Sequence, residues 1–324
     1  FSQFMLFGLS LFLGFSSWRL VEKPAAKLRI ARFKKQLFVS TAAVTTSAVA
    51  FGSVMLMTNG MASRFTQKVI QLSEYLEYDG GEKARIDECF LTSESDSIKS
   101  FKESLCIKTS RDRHNIVLLG DSHNAHFYSA AKSVFHQANI SQVNASGCKP
   151  VISAGGRSIC VRLMDKFFTE FLIKYPFDRI IISARWRQGD LPALLETLKH
   201  IRNHNIPVVV LGPIIEYHTE LPRALIKSVA SGSDEVLKKE RKKNIIALDQ
   251  TFSEAITEKG FHYISLVNLM CDNEAVCVTL AEGMVPLQHD YGHLTHEGAV
   301  YILKQAMHYF ISTPSDGKYP FILN

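Results

Sequence analysis

Two apolar stretches open the chain, and short apolar runs alternating with amphipathic segments fill its latter two thirds. Residues 1–15 carry no charge and only Ser2, Gln3 and Ser10 as clearly polar positions. A crossing helix needs about 20 apolar residues, so the run reads as the end of a membrane span, residues 1–18, that starts before Phe1. A secretory signal fits poorly, because basic residues follow the apolar run instead of preceding it. Residues 37–57 form a second uncharged run, long enough to span a hydrocarbon layer of about 30 Å. Thr41, Thr45, Thr46 and Ser47 weaken its insertion signal, and a buried soluble helix is the alternative.

Beyond residue 58 the pattern changes twice. Residues 59–114 read as a linker and a small helical or irregular extension, broken at Gly80 and Gly81 and polar across 93–104. From residue 116 a strand–helix alternation begins. Apolar runs at 116–119, 179–183, 208–211 and 262–266 read as buried strands. Helical spacing marks 125–137, 162–174, 194–202, 221–228, 235–258 and 296–310. Short strands separated by helices predict an α/β domain over 115–324, with a parallel sheet covered on both faces. Sites in such sheets gather at the carboxyl ends of the strands.

Charge sharpens the membrane reading. The chain has 37 basic and 31 acidic residues, a formal charge of +6. Seven bases (Arg19, Lys23, Lys27, Arg29, Arg32, Lys34, Lys35) and one acid (Glu22) lie between the two apolar runs, leaving 30 of each elsewhere. The rest of the chain is therefore balanced, unlike a nucleic-acid-binding domain. The positive-inside rule makes 19–36 a cytoplasmic loop, 37–58 a transmembrane helix, and everything beyond it external. Six cysteines, none in a C-x-x-C pair, suggest disulfides in that compartment. Fifteen pairings are open, and proximity along the chain favours Cys89–Cys106, Cys148–Cys160 and Cys271–Cys277.

No G-x-G-x-x-G, Walker loop or H-E-x-x-H occurs, and no metal site or cofactor is expected in the domain. The run from Lys238 to Lys243 reads as a solvated helix face, with an anionic glycan or lipid headgroup as the alternative. Two segments carry chemistry. Gly120-Asp121-Ser122-His123 follows the strand at 116–119, where a turn can expose the serine hydroxyl. Asp290-Tyr291-Gly292-His293 precedes the final helix. In that arrangement His293 takes the Ser122 proton while Asp290 orients the imidazole. Either segment alone is weak: a Gly-Asp-Ser turn is often an Asx-turn or helix cap.

Together the two segments resemble the SGNH hydrolase superfamily over roughly 115–310. The resemblance implies a flavodoxin-like three-layer α/β/α sheet and a catalytic set of Ser122, Asp290 and His293. It also implies an oxyanion hole from the N–H groups of Ser122 and Gly147, the latter otherwise a plain turn glycine. The family's Asn after the third strand is replaced by Ala184-Arg185-Trp186. Arg185 or another donor would then stand in for a group whose loss costs ~2.7–4 kcal/mol of transition-state stabilisation.

Ser17-Trp18-Arg19-Leu20-Val21-Glu22-Lys23-Pro24 resembles the end of an acyltransferase-3 membrane domain. A further span and an SGNH domain complete the arrangement of fused acyltransferase-3/SGNH proteins, which O-acetylate bacterial surface polysaccharides such as lipopolysaccharide O-antigen. That group also carries Gly-Asp-Ser-His and a tryptophan-containing third block, here His123 and Trp186, the expected substrate contacts. The resemblance implies an inner-membrane protein with a periplasmic SGNH domain and a polysaccharide acceptor. Its membrane partner domain, on the same polypeptide, would draw acetyl groups from acetyl-CoA. An esterase using the same triad and a non-catalytic glycan-positioning domain are the alternatives.

Overall fold

The computed structural model describes residues 2–23, 34–58, 60–95, 97–152, 158–272 and 276–311. The chain divides into two compact units, residues 1–66 and 67–324. In the first, the helix Ser2–Ser17 runs into a π-helical turn, Trp18–Glu22, and a long helix occupies Lys34–Met57. Residues Phe38–Met57 form a helix long and apolar enough to cross a membrane, with no buried residue along it. Phe38, Val44, Val49 and Leu56 are all exposed, the arrangement expected when lipid is the solvent. Most of the basic loop, residues 24–33, lies outside the described residues.

The second unit is a parallel sheet of six strands among the described residues, in the order β1-β3-β2-β4-β5-β6. The strands are β1 (Phe90–Leu91), β2 (His114–Gly120), β3 (Ala138–Ala145), β4 (Arg179–Ser183), β5 (Val208–Leu211) and β6 (His262–Ile264). Alternate residues of the central strands enter opposite cores. Val117, Leu119, Ile180, Ile182, Val208 and Val210 join one core; Ile116, Leu118, Ile181, Val209 and Leu211 join the other. That period of two is the pleat read out as burial. The helices Leu191–Arg202 and Asn244–Glu258 cover the first core, with Leu194, Leu198, Ile201, Phe252 and Ile256. Tyr128–Val134, Leu221–Ser231 and His296–Ile311 cover the second, with Ala130, Leu225, Ile302 and Phe310. Two covered faces make the three-layer α/β/α fold. Each strand residue so buried contributes about 1.5–3 kcal/mol of hydrophobic stabilisation.

The stretch expected as linker and extension enters the fold itself. Phe90 and Leu91 pair with Asn144 and Ala145, adding an edge strand to β3, and the Cys89–Cys106 disulfide anchors it. Two residues are too few to show a strand period, and the pairing partner lies some fifty residues away. The helix expected at 125–137 is also split: Ser122–Ala125 and Tyr128–Val134 are separate. The other two cysteine pairs form Cys148–Cys160 and Cys271–Cys277.

Leaving β1 aside, β2 is the first strand of the alternation and sits between the second, β3, and the third, β4. The order reverses there, and such a switch point opens a crevice at the carboxyl ends of the strands. Gly120 ends β2 at that point. A Cβ on it would lie 1.8 Å from the Ser183 carbonyl oxygen of β4, so only glycine lets the two strands pair to their ends.

Candidate active site

Asp121 leaves β2 in an extended conformation and caps the short helix Ser122–Ala125, its carboxylate accepting the His123 N–H at 2.8 Å. The cap turns the chain sharply and places Ser122 at the start of the helix, above the end of the sheet. The second segment is folded by its own carboxylate. Asp290 Oδ1 accepts the N–H groups of Gly292 (2.8 Å) and His293 (2.6 Å), which is the Asx-type turn its spacing allows. The remaining oxygen, Oδ2, lies 2.6 Å from His293 Nδ1, and His293 Nε2 lies 2.9 Å from Ser122 Oγ.

The protonation pattern follows from acceptor capacity. Burial pushes Asp290 up, but the His293 hydrogen bond and charge and the Gly292 amide outweigh it, bringing the carboxyl down to about 2. An ionised carboxylate only accepts, so Nδ1–H donates to Asp290 and Nε2 accepts from the Ser122 hydroxyl. The imidazole is thereby aimed as a general base at the serine, with a carboxylate behind it to stabilise the imidazolium. His289, Asp290 and His293 present ligand-type atoms within 4.8 Å of one another, but those of Asp290 and His293 are engaged in the triad.

The other expected residues fall differently. Gly147, two residues past β3, has φ +63°, a left-handed conformation that suits glycine. His123 is 2% exposed, its ring 4.9 Å from that of His293, and its Nε2 has no hydrogen-bond partner among the described residues. It packs beneath the triad and does not face an open cleft. Trp186 is 3% exposed and donates its indole N–H to the Leu211 carbonyl at 2.9 Å. Its expected substrate contact is limited to ring surface, since its one polar group is used in the core.

Arg185 is also corrected. Its backbone N–H donates to the Asp121 carboxylate at 3.0 and 3.2 Å. Its guanidinium forks onto Glu216, Nε to Oε1 and Nη2 to Oε2, each at 2.7 Å. A guanidinium so held is a wall of the site and not a loose donor waiting for an oxyanion.

Sequence reading missed Glu216, Tyr291 and Lys149 here, and took Lys242 as part of a solvated helix face, whereas it lies between two helices. Glu216 is 5% exposed and receives Lys242 Nζ at 2.8 Å as well as Arg185. Burial pushes its carboxyl up, but the two cations hold it below the ordinary glutamate range. The Tyr291 ring lies under both, 4.6 Å from the Arg185 guanidinium and 5.4 Å from Lys242 Nζ. Lys149 sits 3.7 Å from Asp121 and 3.4 Å from Asp190, and its Nζ donates to the Arg185 carbonyl. It thus fastens the loop after β3 to the loop after β4. Position at strand ends was the available signal: Glu216 follows β5 closely, and Lys149 follows β3.

Among solved structures, the chain is similar to the periplasmic domain of a lipopolysaccharide acetyltransferase of Salmonella ser. Paratyphi A. The TM-score is 0.62 at 20% identity, covering 74% of this chain and 97% of that one. Further matches are a lipolytic protein of the G-D-S-L family from Veillonella parvula (TM-score 0.37, 12% identity, 61% and 98% covered) and the carbohydrate acetylesterase Est24 from Sinorhizobium meliloti (0.37, 10%, 61% and 97%). No curated protein sequence matches the chain. The model of the family described as SGNH domains fused to AT3 domains matches residues 88–306, from just before β1 into the final helix, and the chain belongs to that family.

Proposed function

We propose that the second unit is the acyl-transferring domain of a polysaccharide O-acetyltransferase, working from an acyl-serine on Ser122. The observation that carries the reading is the continuous Asp290–His293–Ser122 chain of hydrogen bonds in a family fused to AT3 membrane domains. His293 Nε2 takes the Ser122 proton as Oγ attacks the acetyl carbonyl, and returns it to the departing donor group. In the second half, His293 takes a proton from a sugar hydroxyl, whose oxygen attacks the acyl carbon. Ser122 Oγ leaves and recovers the proton. Ser122 and Gly147 N–H groups are the proposed oxyanion donors.

The family supplies an AT3 domain as partner; in our reading it brings acetyl from cytoplasmic acetyl-CoA to a periplasmic SGNH domain. The membrane-type helix Phe38–Met57 and three disulfides in the second unit support that placement. The fold shared with the Salmonella lipopolysaccharide acetyltransferase domain makes a surface polysaccharide such as O-antigen the proposed acceptor. Mass analysis of surface polysaccharide from cells carrying the full-length protein or its Ser122→Ala variant tests this. Acetyl groups should be present with the first and missing with the second; equal acetylation would refute it. Brisk deacetylation of polysaccharide by the purified protein would replace transfer with hydrolysis.

A further inference from the structure

A cleft of about 530 Å³ opens beside the triad, lined among others by Arg185, Trp186, Arg187, Glu216, Lys242 and Ile245. Its lining holds three cations, Arg185, Arg187 and Lys242, against one carboxylate, Glu216. That carboxylate is buried and already shared between Arg185 and Lys242, so it leaves positive charge over. The nearby acids are used elsewhere. Asp190 accepts the Arg187 N–H and pairs with Lys149, and Asp121 is buried behind the same lysine. The cleft also borders the beginning of the helix Asn244–Glu258, which has no acidic residue in its first turn and no side-chain cap. Its dipole adds to a potential the side chains have already set. Ile245, Ala247 and Leu248 give the same cleft an apolar wall.

Tyr291 bridges from the cleft's lining to the triad. Tyr291 lies 4.6 Å from the Arg185 guanidinium on one side and its ring is 5.6 Å from that of His293 on the other. A group held in the cleft is therefore separated from Ser122 by Arg185, Tyr291 and His293, a gap that a neighbouring residue of the same glycan would span. We propose that this cleft binds an anionic residue of the acceptor glycan, a sugar carrying a carboxylate or a phosphate, so that the acetylated hydroxyl belongs to an acidic glycan. With the Arg185 fork taken up by Glu216, the Arg187 guanidinium and the remaining N–H capacity of Lys242 supply the charged donors, a fork and a point charge that suit both anions. The inference rests on the transferase reading for the word acceptor. The binding itself does not depend on it.

The test uses the full chain in detergent, with Ser122→Ala to keep any ligand unreacted, and titration calorimetry with three probes: trigalacturonate, glucose 6-phosphate and the neutral trisaccharide maltotriose. An anionic probe should bind at least about tenfold more tightly than maltotriose, the preference shrinking as salt rises. The tighter of the two anionic probes tells carboxylate from phosphate. Arg187→Ala and Lys242→Ala should each weaken the anionic probe about tenfold, with Arg187→Lys and Lys242→Arg recovering most of it. Three results overturn the proposal: equal binding of neutral and anionic probes, no binding of either anionic probe at millimolar concentration, or anionic binding that survives both alanine variants in folded protein. Should those variants unfold, probe preference and salt dependence on the unmutated cleft still decide. Acetylation in cells that depends on Ser122, together with no anionic preference, would sink this inference alone. Anionic binding without Ser122-dependent acetylation would sink the transferase reading and leave the cleft standing.

Discussion

Ser122, Asp290 and His293 meet through contacts made by two short segments, whereas the charged residues around them are assembled from five. On the triad side, Asp290 binds two amides within three residues of itself and the imidazole it orients. Among those charged residues, Lys149 pairs with Asp121 and Asp190, Glu216 pairs with Arg185 and Lys242, and the Arg185 backbone N–H joins the two groups; their members follow β2, β3, β4 and β5 or precede the helix Asn244–Glu258. Local spacing determines the Asp290–His293 pair, the fold brings Ser122 to it, and only the folded sheet determines the charged set. The imidazole and its carboxylate are thus held by turn chemistry, and the charged residues around them by long-range electrostatics. The two should fail in different ways when broken.

The largest effect belongs to the triad. Ser122→Ala and His293→Ala should each lower acyl transfer about 10⁶-fold and Asp290→Ala about 10⁴-fold, since triad members act as a unit. Ser122→Ala and His293→Ala should unfold within a few degrees of the parent, and Asp290→Ala lower, since it also removes the acceptor of the Gly292 and His293 amides. The check is the transfer rate per folded molecule, and a Ser122→Ala protein retaining a tenth of the parent rate would make the serine structural.

The disulfides come next. In the chain-entropy view, breaking Cys89–Cys106 or Cys148–Cys160 costs about 3 kcal/mol and breaking the shorter Cys271–Cys277 loop somewhat less. Cys89–Cys106 anchors the edge strand, far along the chain from the catalytic segments, so its loss should lower stability and spare activity per folded molecule. Cys148 adjoins Gly147, so its loss should lower both. Equal activity losses for the two pairs would mean that the loop after β3 takes no part in the reaction.

A smaller effect is expected at Lys149, where Lys149→Ala leaves the buried Asp121 carboxylate with backbone partners alone. Its side chain is 21% exposed, so the loss is about 1–3 kcal/mol, below that of a fully buried pair. Combining it with Asp121→Asn should recover much of that loss. Strict additivity in thermal unfolding would show that the two residues are not coupled.

The same division decides what could be read from the chain. The sheet was legible because β2, β4 and β5 are nearly continuous apolar runs, and the triad because Ser122, Asp290 and His293 sit in short patterned blocks. β1 was not, because two residues show no period, and neither was β3, whose Ser141, Gln142 and Asn144 interrupt any apolar run. Nor was the Arg185–Glu216–Lys242 cluster, because no spacing relates its members and their meeting depends on strand order. The guanidinium expected as a free donor was misjudged for that reason. A charged residue at a strand end announces a site, but its partner decides whether it acts or braces.

The smallest effect is one of pH, and it carries opposite signs on the two sides. His123, buried, and His126, partly buried, pack against His293 and are held well below the usual histidine value, first by desolvation and then by nearby positive charge. Their Nε2 atoms lack partners among the described residues. Unfolded, each takes up a proton near pH 6.5; folded, each stays neutral. Stability is therefore complete above about pH 6.5 and falls as the pH drops below it, by at most about 1.4 kcal/mol per unit for each histidine. Burial moves His289 and His262 the same way. Asp121 moves oppositely: burial raises it above the usual aspartate value, against Lys149 and two amides. Between 3.8 and that raised value the folded protein holds the extra proton, so acidification there stabilises. Thermal unfolding from pH 7.5 to 5.5 should show a declining midpoint, with a shallower decline in His123→Asn and His126→Asn. Asp121→Asn removes the opposing contribution and should never make the decline shallower. An unchanged slope in both histidine variants would mean that these imidazoles are protonated in the folded protein, and the neutral layer beneath the triad would have to be abandoned.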